Sequence, residues 1–291
     1  MKIVSFGDRG QELPGVVCEP GSTREGHVID LIAADPSIPP TVRGILEQNA
    51  LDRVRGVLER SDALPETCLH RLDGVRLGPP ITNPSKIICV GLNYSDHAAE
   101  QGRQVPDEPL TFAKGPNALS GNGDPIPIPS DVAQADHEVE LAAVIGRRAK
   151  AVPRKNAGEY VAGFGVFMDI SARDVQYREK QWFRAKSFDG FAPFGPWLTT
   201  SDSVDDPRDL DISLEVNGNR FQSSNTGLMT FDVDFLVSYL SRNITLEPGD
   251  IIATGTPAGV GVFASPQRFL KSGDTITATI EGLGTLTNPV K

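Results

Sequence analysis

The run from His137 to Gly146, HEVELAAVIG, places two glutamates one residue apart in an otherwise apolar segment. In a β-strand, side chains alternate between two faces, so the apolar residues at positions 139, 141, 143 and 145 would share one face. Glu138 and Glu140 would then lie side by side on the other face. Two adjacent carboxylates repel each other and lose hydration when half-buried, which costs several kcal/mol. The strand therefore either lies at a sheet edge, with both glutamates in water, or holds a positive charge between them.

A third carboxylate follows a second apolar segment. The stretch VAGFGVFMDISARD predicts a strand over Val161–Met168, with Asp169 at its end. If the two strands are neighbours, Glu138, Glu140 and Asp169 can meet. Three carboxylates suit Mg²⁺, Mn²⁺ or Ca²⁺ better than zinc or copper. The alternative is that Asp169 only caps the turn that follows the strand.

A histidine and a glutamate follow the predicted strand IICVG. His97 and Glu100 are three residues apart, so on a helix they share one face and can form a hydrogen bond. A carboxylate that orients an imidazole and stabilises its protonated form makes a general base for activating water. The alternative is a routine contact on a surface helix.

Lys186 lies in an aromatic segment, QWFRAKSFDGFAPFGPW. Its aromatic neighbours are Trp182, Phe183, Phe188, Phe191, Phe194 and Trp197. Three interpretations stay open. Lys186 is a desolvated cation that binds an anionic substrate, or it forms a Schiff base, or it lies on a loop whose aromatic residues pack in the core.

The motif ATGTPAGVG is a glycine-rich turn that follows a strand-like segment. It lacks the Gly-Lys-Ser/Thr ending of a phosphate-binding P-loop, so nucleotide binding is not expected. Backbone N–H groups and the Thr256 hydroxyl could still receive a carboxylate. The alternative is a simple tight turn.

The pattern of the chain predicts two domains. Residues 1–78 suit a small N-terminal α/β domain, with short strands and apolar residues at helical spacing from 42 to 58 behind Thr41 as N-cap. The proline- and glycine-rich stretch GPPITNPSK predicts a linker. Residues 79–291 then show many short strands, an Asn-Gly hairpin in DISLEVNGNRFQ and one helix in FDVDFLVSYLSRN. This pattern predicts an α+β fold with a mixed or antiparallel sheet.

Composition limits the class of protein. The chain has 291 residues and a formal net charge of −10, which argues against nucleic acid or an anionic membrane as partner. The N-terminal sequence lacks the apolar core of a signal peptide, and no apolar run approaches the length of a membrane span. Three scattered cysteines indicate neither a disulfide framework nor a zinc site. These features predict a cytoplasmic protein.

The order of the motifs resembles that of the fumarylacetoacetate hydrolase family, in its short bacterial form with an added N-terminal segment. The resemblance covers residues 85–291. It rests on GLNYSDHAAE, PLTFAKGPNALSG, HEVELAAVIG, FMDISARDVQ, RAKSFDGFAPFGPW and TGTPAGVG, in that sequence order. It implies the family's C-terminal fold, a mixed β-sheet roll or sandwich, and a homodimer.

The resemblance also implies a role for each candidate residue. The metal ligands for Mg²⁺ or Mn²⁺ would be Glu138, Glu140 and Asp169. His97 and Glu100 would be the water-activating pair, and Lys186 would contact the substrate or an oxygen bound to the metal. Arg173, Gln176 and Thr256 would line the pocket, with Thr256 on the substrate carboxylate.

The implied substrates are 2-oxo acids of the acylpyruvate type. His97 would activate water, hydroxide would add to the distal carbonyl, and cleavage of the carbon–carbon bond would give pyruvate and a carboxylic acid. The same site could instead support a keto–enol isomerase, an isomerase of 2-hydroxymuconate-type dienes or an oxaloacetate decarboxylase. A binding or sensing module that has lost catalysis is a further alternative, which the His97–Glu100 pair argues against.

Overall fold

The computed structural model describes residues 1–291 and has the predicted α+β fold. Its strands are β1 (Lys2–Phe6), β2 (Leu13–Val17), β3 (His27–Asp30), β4 (Leu69–Arg71), β5 (Leu77–Gly78), β6 (Ile87–Gly91), β7 (Leu110–Lys114), β8 (Leu119–Ser120), β9 (Ala135–Asp136), β10 (Val139–Ile145), β11 (Val161–Met168), β12 (Ser171–Ala172), β13 (Ala192–Thr200), β14 (Asp211–Val216), β15 (Asn219–Asn225), β16 (Ile251–Ala253), β17 (Thr275–Ile280) and β18 (Gly284–Pro289). The α-helices are α1 (Leu31–Ala34), α2 (Val42–Glu47), α3 (Leu51–Glu59), α4 (Ser95–Glu100), α5 (Arg173–Glu179), α6 (Trp182–Lys186) and α7 (Val233–Ser241). No helix is both long enough and apolar enough to cross a membrane.

Most strands belong to one large sheet with the order β4-β3-β2-β1-β13-β11-β10-β16-β6-β7. Strands β5 and β8 pair with β1 and β13 beside this path, and β12 and β9 form a small separate pair. A second sheet has the order β15-β14-β17-β18. The pairings are antiparallel except for β16 with β6 and β13 with β8. The observed sheet is therefore mostly antiparallel, as the sequence pattern predicts.

Strand β10 lies inside the large sheet, between β11 and β16. One face of β10, including Leu141 and Ala143, joins the largest core cluster with residues of the second sheet and of α7. The opposite face, with Ala142 and Val144, packs in a second cluster. Every residue of β10 is buried. The interpretation of an edge strand with solvated glutamates is therefore wrong.

The N-terminal residues extend the large sheet, because Lys2 and Ile3 of β1 pair with β13. Thr41 caps α2, its hydroxyl oxygen accepting from the backbone N–H of Gly44 at 3.0 Å. The apolar residues at helical spacing over 42–58 belong to two helices, since Asn49 adopts a φ of +52° between α2 and α3. Asn tolerates this left-handed conformation better than most residues. That residues 1–78 form a separate domain stays a prediction.

The predicted Asn-Gly hairpin and the predicted helix in FDVDFLVSYLSRN are confirmed. Asn217 and Gly218 have φ values of +52° and +74° in the turn between β14 and β15, as a type I′ hairpin requires. Strand β18 pairs back on β17. The carboxylate of Asp232 caps α7 by accepting from the backbone N–H of Phe235 at 2.8 Å.

Candidate functional site

The pairing of β10 with β11 brings three carboxylates together. Val139 lies opposite Met168, and the next residue, Asp169, donates its backbone N–H to the carbonyl of Glu138 at 2.9 Å. Ligand oxygens of Glu138, Glu140 and Asp169 all lie within 4.8 Å of one another. All three side chains are buried. Asp169 thus takes part in a buried acidic group, which a simple turn cap would not.

Cationic side chains face two members of this group. Lys186 Nζ donates to Glu138 Oε2 at 2.8 Å and to Asp169 Oδ2 at 2.5 Å. Lys114 Nζ donates to Asp169 Oδ1 at 2.5 Å, and Arg173 Nη2 donates to Glu138 Oε1 at 2.5 Å. Burial alone favours protonation of Glu138, but Lys186 and Arg173 outweigh it and hold its pKa below the usual value. Glu138 is therefore ionised, and Lys186 and Arg173 balance its negative charge.

Glu140 has no such partner. Its Oε2 accepts a hydrogen bond of 3.0 Å from the backbone N–H of Gly255, and it forms no ion pair with any lysine, arginine or histidine. Burial, with the nearby charges of Asp169 and Glu138, raises its pKa well above the usual value. The group lacks positive charge on the Glu140 side. Three close carboxylates with this deficit fit a hard divalent cation.

His97 and Glu100 lie on α4, as predicted. His97 Nδ1 is 3.1 Å from Glu100 Oε2, and the other oxygen, Glu100 Oε1, accepts from the backbone N–H of Gly259 at 3.0 Å. His97 is buried, so the interpretation as a surface contact is wrong. Because the carboxylate can only accept, Nδ1 carries a proton. The amide nitrogen of Gln101 lies 2.8 Å from the other ring nitrogen, Nε2, and can only donate, so Nε2 accepts through its lone pair.

Arg173, at the start of α5, connects several parts of the site. Its Nε donates to Asp136 Oδ2 at 2.8 Å, and its Nη1 donates to Gln176 Oε1 at 3.1 Å. Burial opposes its charge, yet the carboxylates of Glu138 and Asp136 raise the pKa of Arg173 above its usual value. Asp136 also accepts from the backbone N–H groups of Gly261 and Val262 at 2.7 and 3.1 Å. Asp136 therefore ties Arg173 to the loop after Thr256.

Thr256 lies in the glycine-rich turn, which is held close to β15. The Thr256 hydroxyl accepts from Gln222 Nε2 at 2.8 Å. Gly259 has a φ of +103°, and a Cβ there would come within 2.1 Å of the carbonyl oxygen of Phe221. Only glycine fits this close approach. The turn is therefore part of the site, and its shape depends on this residue.

One open cavity of about 380 Å³ joins these groups. It is lined by seven of the nine predicted site residues: His97, Glu138, Glu140, Arg173, Gln176, Lys186 and Thr256. Glu100 and Asp169 do not line the cavity. Each lies behind a lining residue that it contacts, Glu100 behind His97 and Asp169 behind Lys186.

Most of the aromatic residues around Lys186 do not face the cavity. Trp182 is the one of the six that lines it. Phe191 and Phe194 pack in the core, and Phe183 is 55% exposed. Of the aromatic segment around Lys186, only Trp182 therefore contributes to the cavity wall. Phe112, which the sequence did not single out, lines the cavity, and Lys186 Nζ lies 5.1 Å from its ring centroid.

Sequence reasoning assigned no role to Lys114 or Asp136. Each has a signal in the sequence, because Lys114 ends the apolar strand LTFAK and Asp136 directly precedes the HEVE run. Both side chains are buried. Their partners are distant in the chain, so their importance becomes visible only when the strands are paired.

Comparison with known proteins agrees with this geometry. Residues 86–291 match the family described as fumarylacetoacetate hydrolase C-terminal. A mitochondrial oxaloacetate tautomerase of Xenopus laevis is 42% identical over 296 residues, which cover 100% of this chain and 90% of that protein.

Two solved structures are similar over the whole chain. The 5-carboxymethyl-2-hydroxymuconate delta-isomerase of Mycobacterium smegmatis has a TM-score of 0.77 and 36% identity, covering 100% of this chain and 98% of that one. The maleylpyruvate hydrolase of Sphingobium sp. SYK-6, in complex with manganese(II) and pyruvate, has a TM-score of 0.80 and 31% identity, with the same coverage. From the motifs, the fold and these matches, the chain belongs to the fumarylacetoacetate hydrolase family.

Proposed function

We propose that this chain is a divalent-metal-dependent enzyme that interconverts the keto and enol forms of a 2-oxo acid of the oxaloacetate type. The observation that carries the proposal is one cavity lined by His97, Glu138 and Glu140, with Asp169 directly behind it. The match to an oxaloacetate tautomerase across 100% of the chain supports this choice among reactions of an enolate.

Glu138, Glu140 and Asp169 would hold the ion, which is Mg²⁺ or Mn²⁺ by the chemistry of the donors. When bound, the ion would act as a Lewis acid that stabilises negative charge on the 2-oxo oxygen. The protein's part is to keep the three carboxylates together and to keep Glu138 ionised. Lys186 and Arg173 do this for Glu138 from inside the protein.

Lys186 and Arg173 also favour anions in the cavity. Both are buried and charged beside the place where the enolate oxygen would develop, and fixed charges in a dry site stabilise such an oxygen without reorganisation. Lys186 Nζ donates to two carboxylates, so we assign it a role as a charge and not as a Schiff-base amine. Thr256 and Gln176, at the cavity wall, would receive the substrate carboxylate.

His97 would move the proton. Glu100 holds Nδ1–H, so Nε2 is the basic nitrogen. Nε2 would take a proton from C3 of the keto acid and return it to the enolate oxygen, and the reverse path would give the keto form. Gln101 now occupies Nε2 and must turn away when substrate enters.

Hydrolysis of an acylpyruvate is the second candidate. The His97–Glu100 pair favours hydrolysis, because activating water demands a more effective base than substrate binding or simple enolisation does. Hydroxide would add to the distal carbonyl, and the carbon–carbon bond would break to leave the enolate of pyruvate and a carboxylic acid. The resemblance to a maleylpyruvate hydrolase bound to manganese and pyruvate supports this candidate.

Parallel assays on one preparation separate the candidates. The protein is stripped with EDTA and reloaded with Mg²⁺ or Mn²⁺. Decay of the ultraviolet absorbance of enol-oxaloacetate reports tautomerisation, while release of pyruvate from acylpyruvates reports hydrolysis. We expect metal-dependent tautomerisation of oxaloacetate that exceeds the buffer rate and is blocked by oxalate. Pyruvate release from acylpyruvates without tautomerase activity would assign the hydrolase instead.

Other outcomes have their own readouts. Release of pyruvate and CO₂ from oxaloacetate would assign a decarboxylase, and spectral change of a muconate-type diene would assign an isomerase. Oxalate binding without turnover of any 2-oxo acid would assign a binding module. We further propose a homodimer and a cytoplasmic location, which light scattering and cell fractionation test.

A further inference from the structure

Two cationic residues at the cavity have no partner in the protein. Arg103 and Lys180 both line the cavity that holds the acidic group. Both are exposed, and neither side chain forms a hydrogen bond or a salt bridge with any other residue. They stand on different elements, since Arg103 follows α4 and Lys180 follows α5. The opening of the cavity is therefore flanked by two free positive charges.

The other cations on α5 and α6 are engaged in ion pairs. Arg178 and Arg184 both pair with Glu179. Deeper in the cavity, Lys186 and Arg173 are bonded to carboxylates of the acidic group. Arg103 and Lys180, the outer cations, therefore have no acidic partner. The two acids that line the cavity, Glu138 and Glu140, belong to the proposed metal site. An anion that comes from outside the protein would complete this arrangement.

The position of Lys180 is set by the backbone. It adopts a φ of +61°, in the left-handed region that a lysine rarely occupies. This residue forms the short connection between α5 and α6, where the backbone N–H of Gln181 donates to the carbonyl of Glu179 at 2.7 Å. With a ψ of −31°, this is a three-residue turn centred on Lys180, of the rare and strained γ type. Lys180 therefore adopts an unfavourable backbone conformation, and it places a positive charge at the cavity.

We infer that Arg103 and Lys180 bind the second carboxylate of the substrate and are the residues that select dianionic over monoanionic 2-oxo acids. The inference rests on the proposed function, in which the 2-oxo acid end occupies the metal side of the cavity. The distal carboxylate would then point toward the opening. A neutral acyl or alkyl tail would leave both cations without a partner, which predicts discrimination against such substrates.

Binding of unreactive ligands tests this without turnover. The probes share an oxalyl head and end either in a carboxylate, as in N-oxalylglycine and its homologues longer by one or two carbons, or in a neutral alkyl group, as in N-alkyl oxamates of equal length. Calorimetry with Mg²⁺ present gives each Kd. We expect at least one carboxylate probe to bind about tenfold or more tightly than its neutral partner, the usual gain from a charge-assisted contact.

Matched variants assign the effect to residues. Arg103→Gln and Lys180→Gln each remove one charge at the opening, and Arg178→Gln removes one charge from an arginine that pairs with Glu179 and does not line the cavity. We expect the first two variants to lose most of the preference for the carboxylate probe and to bind the neutral probe as before. Arg178→Gln should retain the wild-type preference.

The outcomes separate the inference from the proposed function. Equal binding of charged and neutral probes by the wild type, or an unchanged preference in Arg103→Gln and Lys180→Gln, would overturn the inference and leave a 2-oxo acid site. Failure of every oxalyl probe and of oxalate to bind would overturn the proposed function, and the inference with it. Rising salt should weaken the carboxylate probe more than the neutral one, because the outer cations are exposed.

Discussion

The backbone N–H of Asp169 donates a hydrogen bond of 2.9 Å to the backbone carbonyl of Glu138. This main-chain contact continues the β10–β11 pairing and does not depend on either carboxylate. The acidic group is therefore assembled by the fold before any ion arrives. Its side chains can be changed one at a time without removing the contact that brings the strands together.

The first prediction concerns Glu140, the carboxylate without a cationic partner. Glu140→Gln keeps an acceptor for the backbone N–H of Gly255 and removes a buried ionisable group. We expect Mn²⁺ binding and activity to be lost, while the metal-free variant melts at the wild-type temperature or above it. Calorimetric titration with Mn²⁺ and differential scanning calorimetry measure the two effects. Glu47→Gln, at a surface pair with Arg43, is the control. Retained Mn²⁺ affinity in Glu140→Gln would remove this residue from the metal site.

The second prediction concerns His97. Because Nε2 is the basic nitrogen of the pair with Glu100, His97→Asn should lower kcat by about 10²–10⁴-fold, the usual contribution of a general base. Mn²⁺ affinity should stay nearly unchanged, since His97 forms no hydrogen bond or ion pair with the three carboxylates. Steady-state kinetics and Mn²⁺ titration measure these quantities. His70→Asn, on β4 and outside the cavity, should have wild-type kcat. Wild-type turnover in His97→Asn would place the base elsewhere.

The third prediction concerns Gly259, whose backbone N–H holds Glu100. Gly259→Ala would place a Cβ within 2.1 Å of the carbonyl oxygen of Phe221 at a φ of +103°. The turn must shift, at a cost of about 1–3 kcal/mol of unfolding free energy. Activity should fall with it, because Glu100 loses its anchor. Gly282→Ala, in a turn with a φ of +72° and open space around the Cβ, controls for backbone strain alone. Equal melting temperatures of the two variants would contradict the prediction.

The fourth prediction concerns acid stability. Burial opposes ionisation of Asp124, but two hydrogen bonds from Arg76 at 2.8 and 2.6 Å and one from the backbone N–H of Gly121 outweigh it and lower the pKa of Asp124 below its usual value of 3.8. A carboxyl with a lowered folded pKa stabilises the protein above the unfolded pKa, and this contribution is lost as pH falls through the folded pKa. Asp124→Asn should therefore cost about 1–2 kcal/mol at pH 7.

The difference between Asp124→Asn and wild type should shrink below pH 4, which urea unfolding at several pH values measures. Asp73→Asn breaks a pair with Arg71 of similar geometry that is exposed to solvent, and we expect little change in stability. A constant difference across the pH range would show that Asp124 acts through its shape and not through its charge.

The sequence predicted local features well where they depend on neighbouring residues. The strand over Val161–Met168 has the predicted bounds, and the Asn217–Gly218 turn follows from the backbone preferences of those two residues. The break at Asn49 was missed, because the apolar spacing continues across it and the left-handed turn interrupts only the backbone. Local periodicity does not record such an interruption.

Features that depend on strand pairing were harder to predict from the sequence. Glu138 and Glu140 pointed to a site, but the burial of both faces of β10 follows from its neighbours in the sheet and not from its own sequence. Lys114 and Asp136 were missed for the same reason. Their partners, Asp169 and Arg173, are 55 and 37 residues away. Only long-range pairing makes these charges part of one site.

Diffraction from crystals grown with Mn²⁺ and oxalate, with data collected at the manganese absorption edge, tests the central claim most directly. We predict one anomalous peak at about 2.1 Å from an oxygen of each of Glu138, Glu140 and Asp169, with oxalate on the open side of the ion. A peak elsewhere, or none in this cavity with Lys186 Nζ still between the carboxylates, would contradict a metal-dependent 2-oxo acid enzyme.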